Sequence, residues 1–295
     1  MSAGGAPERV GVVGGGRMGA GIAHAFLMAG SRVAVVERDQ ASADAARERI
    51  LHSVAVSIER GETAPDDDAL VVGTAWEALA GSQLVVEAVP ELPDLKAEAL
   101  RRAEELLDPT AVLATNTSSL SIDALAASLR RPGGFAGMHF FNPVPASALV
   151  EVVAGSATAP SALSAVTGWV QAIGKTAIVV RDSPGFASSR LGVLLGLEAV
   201  RMIEEGVGSP EDIDGAMELG YRHPVGPLRL TDLVGLDVRL DIAEYLAREL
   251  GPRFEPPELL RRMVAEGMLG RKSGRGFYSW PDAGGAAASG PGRPR

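Results

Sequence analysis

Cysteine is absent from the 295-residue chain. That excludes disulfides, thiolate-bound zinc and aldehyde oxidation through a thiohemiacetal. Histidine is scarce: His24, His52, His139 and His223 are the four, and no two stand at metal-ligand spacing. A metal-dependent alcohol dehydrogenase is therefore not expected. Lysine is scarcer still, with only Lys96, Lys175 and Lys272 among 28 cations, so each is a candidate for a specific role. No apolar run approaches the ~18 residues of a membrane span. The opening residues lack a basic stretch followed by an apolar one, so no secretory signal is expected, and the cytoplasm is the default location. Net charge is −9, which disfavours nucleic acid as a partner. What remains is a chain with 46% hydrophobic residues, long enough for about two domains and a sizeable core.

The most informative segment begins at Arg9. A short valine-rich run, Val10-Gly11-Val12-Val13, leads into Gly14-Gly15-Gly16-Arg17-Met18-Gly19, then into a stretch of helical character through Ile22, Ala23, Phe26 and Ala29. A second valine-rich run, Arg32–Val36, ends in Glu37, 23 positions after Gly14. Strand, glycine turn, helix, strand and terminal acid occur in the order of a dinucleotide-binding unit. Gly14 permits the tight turn, Gly16 lets a pyrophosphate approach the backbone, and Gly19 lets the helix pack close to the sheet. The free N–H groups of the first helical turn face the phosphates. A carboxylate at position 37 accepts hydrogen bonds from a ribose diol and repels a 2′-phosphate, which favours NAD(H). Arg38 beside it is the residue type that accommodates that phosphate, and it pulls the other way.

The rest of the first half alternates strand and helix. Strands are expected at 69–72, 83–88, 111–114, 137–141, 149–153 and 176–180, with a long helical excursion, read as a helical hairpin, between Gln40 and Asp68. The pattern is that of an α/β, Rossmann-type domain over residues 9–182. At Asp182-Ser183-Pro184-Gly185-Phe186 the character changes. Helical periods follow at 190–205, 211–219, 226–250 and 258–266, so a smaller all-α domain is expected over 183–281, of the kind that forms a subunit interface. Residues 1–8 and 282–295 read as disordered ends.

Two places hold candidate chemistry. His139 lies in an apolar strand beside Phe140 and Phe141, and twelve positions later Glu151 is flanked by Leu149, Val150, Val152 and Val153. A glutamate among aliphatics is costly unless paired. The turn-rich 142–147 segment would bring the two strands side by side. A His139–Glu151 pair would fix the imidazole tautomer and strengthen it as a general base. A strand histidine satisfied within the core is the alternative. The polar run Thr115-Asn116-Thr117-Ser118-Ser119 follows another strand, where open α/β sheets bind ligands. Equally, Ser119 or Ser121 caps the next helix.

The strings GGGRMGAGIA, VVEAVPE, TNTSSL, GMHFFNPVP, LVEVV, DSPGF and GRKSGRGFY resemble those of the L-3-hydroxyacyl-CoA dehydrogenases, in particular the short bacterial 3-hydroxybutyryl-CoA type. The resemblance spans about residues 9–280. It implies interconversion of a 3-hydroxyacyl-CoA and a 3-ketoacyl-CoA with NAD, in a homodimer joined through the helical domain. It assigns catalysis to His139 oriented by Glu151, with Ser118 on the substrate hydroxyl. Cofactor contacts fall on Gly14, Gly15, Gly16, Met18, Gly19, Glu37, Glu91, Lys96, Ser118, Asn142 and Lys272. CoA contacts fall on Ser53, Arg60 and Ser118, Arg60 standing where the family often has lysine. One position departs: Ser189 replaces the asparagine of Pro-Gly-Phe-x-x-Asn-Arg, a donor to the substrate's oxygen, and implies a shorter reach there. A free hydroxy or sugar acid as substrate, and a nucleotide-binding protein without catalysis, are the competing readings.

Overall fold

The computed structural model describes residues 5–281, in two compact units that divide between Phe186 and Ala187. The first is built on eight strands: β1 (Arg9–Val13), β2 (Arg32–Val36), β3 (Leu70–Gly73), β4 (Leu84–Glu87), β5 (Val112–Thr115), β6 (Phe135–Phe140), β7 (Leu149–Ala154) and β8 (Thr176–Arg181). They form one sheet in the order β3-β2-β1-β4-β5-β6-β7-β8. The first six are parallel; β7 turns back antiparallel to β6, and β8 runs parallel to β7. This is the doubly wound dinucleotide-binding order, extended by a reversed pair at one edge.

Side-chain alternation along the strands supplies both faces. Leu84 and Val86 of β4, with Val112 and Ala114 of β5, enter one buried cluster, with Ile22 and Phe26 of helix α1 (Arg17–Met28). Val85 and Leu113 enter the opposite cluster, with Ala99, Leu100 and Ala103 of α3 (Pro93–Glu104). Both faces of a parallel sheet are thus covered by helices.

Helix α2 (Gln40–Glu59) starts at Asp39, whose carboxylate accepts from the Ser42 N–H, and stops at Gly61 with φ +92°. The excursion expected as a helical hairpin is this single helix. Gly61 takes a left-handed conformation that ends it, and Pro65 with the acidic run Asp66–Asp68 supports no second helix before β3. Composition groups residues 1–8 as a disordered end, yet among the described residues 5–8 the chain is tied to the sheet. Buried Pro7 accepts a hydrogen bond from Ser31 Oγ, and the Glu8 carbonyl accepts from Arg32 N. Positions 1–4 and 282–295 lie outside the described residues. Short α4 (Ile122–Ala126) follows β5, and α5 (Pro160–Ala172) crosses between β7 and β8.

The second unit is helical: α6 (Ser188–Glu204), α7 (Pro210–Tyr221), α8 (Pro227–Val234), α9 (Leu236–Leu250) and α10 (Glu258–Ala265). They enclose a core that includes Val193, Leu197, Leu228, Leu236, Leu246 and Leu260. The span 226–250, expected as one helix, is two, because Gly235 at φ +109° breaks it. Asp214 and Asp232 hold the tail of this unit. Asp232 accepts from the N–H groups of Phe277 and Tyr278 and from Trp280 Nε1, and Asp214 from Tyr278 Oη. Among the described residues no helix is long and apolar enough to cross a membrane.

Candidate active site

The carboxyl ends of β1, β2, β4, β5 and β6 carry most of the candidate residues of the first unit. At the end of β1, Gly14 takes φ +92°, a region costly for any residue with a Cβ. A Cβ at Gly19 would lie 1.8 Å from the Gly14 carbonyl oxygen, and one at Gly16 would meet nothing within 4 Å. Gly19 is thus dictated by the close passage of helix and turn. Gly16 lies in open space above the start of α1, whose first turn carries no acid and whose N-cap has no side-chain hydrogen bond. Unclaimed N–H groups facing an open cradle suit a diphosphate. Met18 lies half-buried on that turn.

Glu37 caps β2, and its Oε1 accepts from Gly15 N at 2.7 Å. The carboxylate is therefore tethered to the glycine turn, where a ribose diol would meet it. Arg38, the residue that argued for a 2′-phosphate, is turned to Asp39, with Nε 3.0 Å from Oδ2. The donors and acceptors of this corner fit an NAD dinucleotide.

Glu87 closes β4 wholly buried. It accepts from Lys96 Nζ at 2.8 and 3.1 Å, from Val89 N at 2.6 Å and from Thr115 Oγ1 at 2.6 Å. A buried carboxylate is tolerable only when so fully paired. Lys96, 1% exposed, also donates to the Val89 carbonyl and lies 3.3 Å from Glu91 Oε2. Its three ammonium hydrogens are matched by acceptors of the chain itself. Glu91 Oε1 in turn accepts from Thr117 Oγ1 at 2.5 Å, from Ser118 N at 2.9 Å and from Ser119 N and Oγ at 3.3 Å. One lysine and two glutamates thereby hold the loop that carries Ser118. The two readings of the serine run divide between residues. Ser121 caps α4 by accepting from Ala124 N, whereas Thr117, Ser118 and Ser119 gather on Glu91.

His139 and Glu151 are direct partners in the β6–β7 register. Both point to the face opposite Met138, Phe140, Val150 and Val152, which enter the core. His139 Nδ1 is 2.8 Å from Glu151 Oε2. The ring is buried, with Phe141 at 4.5 Å and Phe186 at 5.8 Å between centroids. Since a carboxylate only accepts, Nδ1 carries the hydrogen and Nε2 is left as a base. Asn116, which sequence reasoning left within the serine run without a role of its own, accepts from Phe140 N through Oδ1 and pins the strand beside His139.

Other expected positions are placed less tightly. Asn142 follows β6 and is exposed. Ser53 lies half-buried on α2, its hydroxyl donating back to the Arg49 carbonyl at 3.0 Å. Arg60, exposed, is the C-cap of the same helix. In the second unit, Ser189 lies on the first turn of α6, and Lys272 pairs with Asp237.

Known proteins resemble this chain over most of its length. The sequence model of the 3-hydroxyacyl-CoA dehydrogenase NAD-binding domain matches residues 9–183, and that of the C-terminal domain matches residues 185–280. A probable 3-hydroxybutyryl-CoA dehydrogenase of Deinococcus radiodurans is 41% identical over 278 residues, 92% of this chain and 100% of that protein. The crystal structure of Mycobacterium tuberculosis FadB2 superposes with a TM-score of 0.87 at 41% identity, covering 93% of this chain and 99% of the other. That of (S)-3-hydroxybutyryl-CoA dehydrogenase PaaH1 from Ralstonia eutropha also gives 0.87, at 39% identity and the same coverage. The chain belongs to the 3-hydroxyacyl-CoA dehydrogenase family.

Proposed function

We propose that this chain interconverts (S)-3-hydroxyacyl-CoA and 3-ketoacyl-CoA with NAD(H), His139 moving the proton. The observation that carries the assignment is the buried His139–Glu151 pair, set opposite one another in register and 2.8 Å apart. Nothing in a pure nucleotide-binding module requires that pair at the rim of the sheet.

In the oxidative direction His139 Nε2 takes the proton of the C3 hydroxyl. Glu151 holds the ring in orientation and stabilises the imidazolium that forms. Bound NAD⁺ supplies the acceptor for the C3 hydride. Ser118 hydrogen-bonds the substrate oxygen, and its loop is steadied by Glu91, itself set by Lys96 and Glu87. Lys96 thus acts on the site through Glu91. Ser189 stands where the family has an asparagine that donates to the substrate's oxygen, and its hydroxyl keeps a donor at that position. In reverse, His139 returns the proton to the ketone oxygen.

Ser53 and Arg60 are seven residues apart along α2, about two turns or ~10.5 Å on one face. That face suits the long polar body of CoA, with Arg60 for a phosphate. A homodimer through the second unit accounts for the apolar residues α6 and α7 leave exposed, Leu191, Leu195 and Leu219 among them. The cytoplasm is the proposed location.

His139→Gln tests the assignment. Turnover of acetoacetyl-CoA falls about 10³-fold, in the range of a lost general base, while NADH still binds. A variant that retains turnover overturns the role of His139.

A further inference from the structure

Of the three lysines, Lys96 lies against Glu87 and Glu91, and Lys272 pairs with Asp237. Lys175 is the one that neither the family resemblance nor the proposed reaction uses. Its backbone is fixed by the end of α5. Gly174 takes φ +73°, its N–H donates to the Gln171 carbonyl, and the Lys175 N–H donates back to the Val170 carbonyl. Such a glycine-ended stop sets the direction in which the chain leaves the helix. From there the Lys175 side chain reaches the segment that joins β6 to β7.

That segment is a single tight turn. The Pro143 carbonyl accepts from Ala146 N at 3.1 Å and from Ser147 N at 3.0 Å, and the later carbonyls must find donors elsewhere. Lys175 Nζ supplies them, donating to the Val144 and Ser147 carbonyls at 2.6 Å each. The ammonium is half-buried and forms no ion pair among the described residues; desolvation pushes its pKa below the ordinary 10.5. Two charge-assisted hydrogen bonds from one nitrogen stand against that cost. A compact ammonium with rotatable donors can converge on both carbonyls, whereas the planar fork of arginine, the chain's commoner cation, spreads its donors. The turn is gripped from the other side as well. Val144 is buried, and a Cβ on Gly21 of α1 would lie 2.8 Å from Val144 Cβ. The turn therefore rests on the helix whose first residues form the diphosphate cradle. At its head stands Asn142, exposed and three positions after His139.

Resting on the dehydrogenase reading, in which Asn142 contacts the cofactor, we propose that Lys175 is a positioning residue for NAD(H). It ties down the 142–147 turn so that the Asn142 side chain is already in place when the dinucleotide binds. Lys175 takes no part in proton or hydride transfer; it acts through the backbone of the turn. The effect of its loss therefore falls on cofactor affinity and leaves the His139–Glu151 pair as it is.

The test is the Kd for NADH, read by fluorescence titration of the full chain. Lys175→Met raises it about ten-fold, while kcat with acetoacetyl-CoA at saturating NADH stays within about three-fold of wild type. Asn142→Ala raises the Kd by a similar factor, and adding Lys175→Met to it raises the Kd less than about two-fold further, because the lysine acts through that residue. A lysine that serves stability alone lowers the urea midpoint and leaves the Kd unmoved, which overturns the proposal. Effects of the two substitutions that multiply in full overturn it too. Should the Met variant not fold, Lys175→Gln decides: it keeps a donor but is one bond shorter and neutral, and a Kd equal to wild type overturns the proposal. A wild-type protein that binds NADH but does not turn over acetoacetyl-CoA overturns the dehydrogenase reading instead, and the Kd comparison still decides the role of Lys175.

Discussion

Glu91 is the residue on which most of the loop geometry converges. Its Oε1 is the shared acceptor for Thr117, Ser118 and Ser119, and Lys96 steadies its other oxygen. Removing the carboxylate frees two backbone N–H groups and leaves the buried Lys96–Glu87 pair without its outer acceptor. Glu91→Ala is expected to raise hydrogen exchange at the Ser118 amide and to lower kcat/KM about ten- to a hundred-fold, the scale of a catalytic group displaced by ~1 Å. Unchanged exchange at that amide would mean that the loop holds itself. The residues that matter at this scale share one sequence signal, a charged or polar group at an apolar position of a periodic element. His139 and Glu151 show it in strands, and it was read there. Lys96 shows it in α3, three, four and seven residues before buried Ala99, Leu100 and Ala103.

At the scale of elements, the contact between α1 and α2 contains a titratable group outside the site. His24, buried on α1, is 3.0 Å from Ser57 Oγ of α2 through Nε2, and its Nδ1 is buried without a partner. Desolvation, the main effect, and Lys175 push its pKa below the ordinary 6.5, while Glu62 and a backbone hydrogen bond at Ser53 act in the opposite sense. Below pH 6.5 the unfolded chain therefore takes up a proton that the folded chain resists, so stability falls with pH until the lowered folded value is passed. His24→Gln, which cannot titrate, is expected to lose less stability between pH 7 and pH 5.5 in urea unfolding. Equal losses would show that His24 is neutralised by other means. Element boundaries were legible where a periodic run met a glycine turn, as at β1, α1 and β2. They were not legible where apolar residues continue on both sides of a break. Leu228 and Leu236, eight positions apart and both buried, fit one helical stripe, and only the backbone conformation of Gly235 separates α8 from α9. The acidic stretch before β3 likewise reads as polar helix until Gly61 and Pro65 are seen to end it.

For the whole molecule, two units each enclose a core of their own. The sheet order places the glycine turn, Glu37, the Ser118 loop and His139 at the carboxyl ends of neighbouring strands, which is how residues 125 positions apart come to one side of the sheet. That convergence follows from the strand order 3-2-1-4-5-6 and could be anticipated once the βαβ motif was recognised. The reversed β6–β7 pair was foreshadowed by the turn between His139 and Glu151, whereas the network below Ser118 depends on side-chain reach that spacing does not encode. At this scale the cofactor is decided by Glu37, tied to Gly15, with Arg38 drawn to Asp39. The most direct test is the loss of NADH absorbance with acetoacetyl-CoA, repeated with NADPH. Rapid oxidation of NADH and much slower oxidation of NADPH is the predicted result. No turnover in protein that binds NADH, or turnover with NADPH alone, would contradict it.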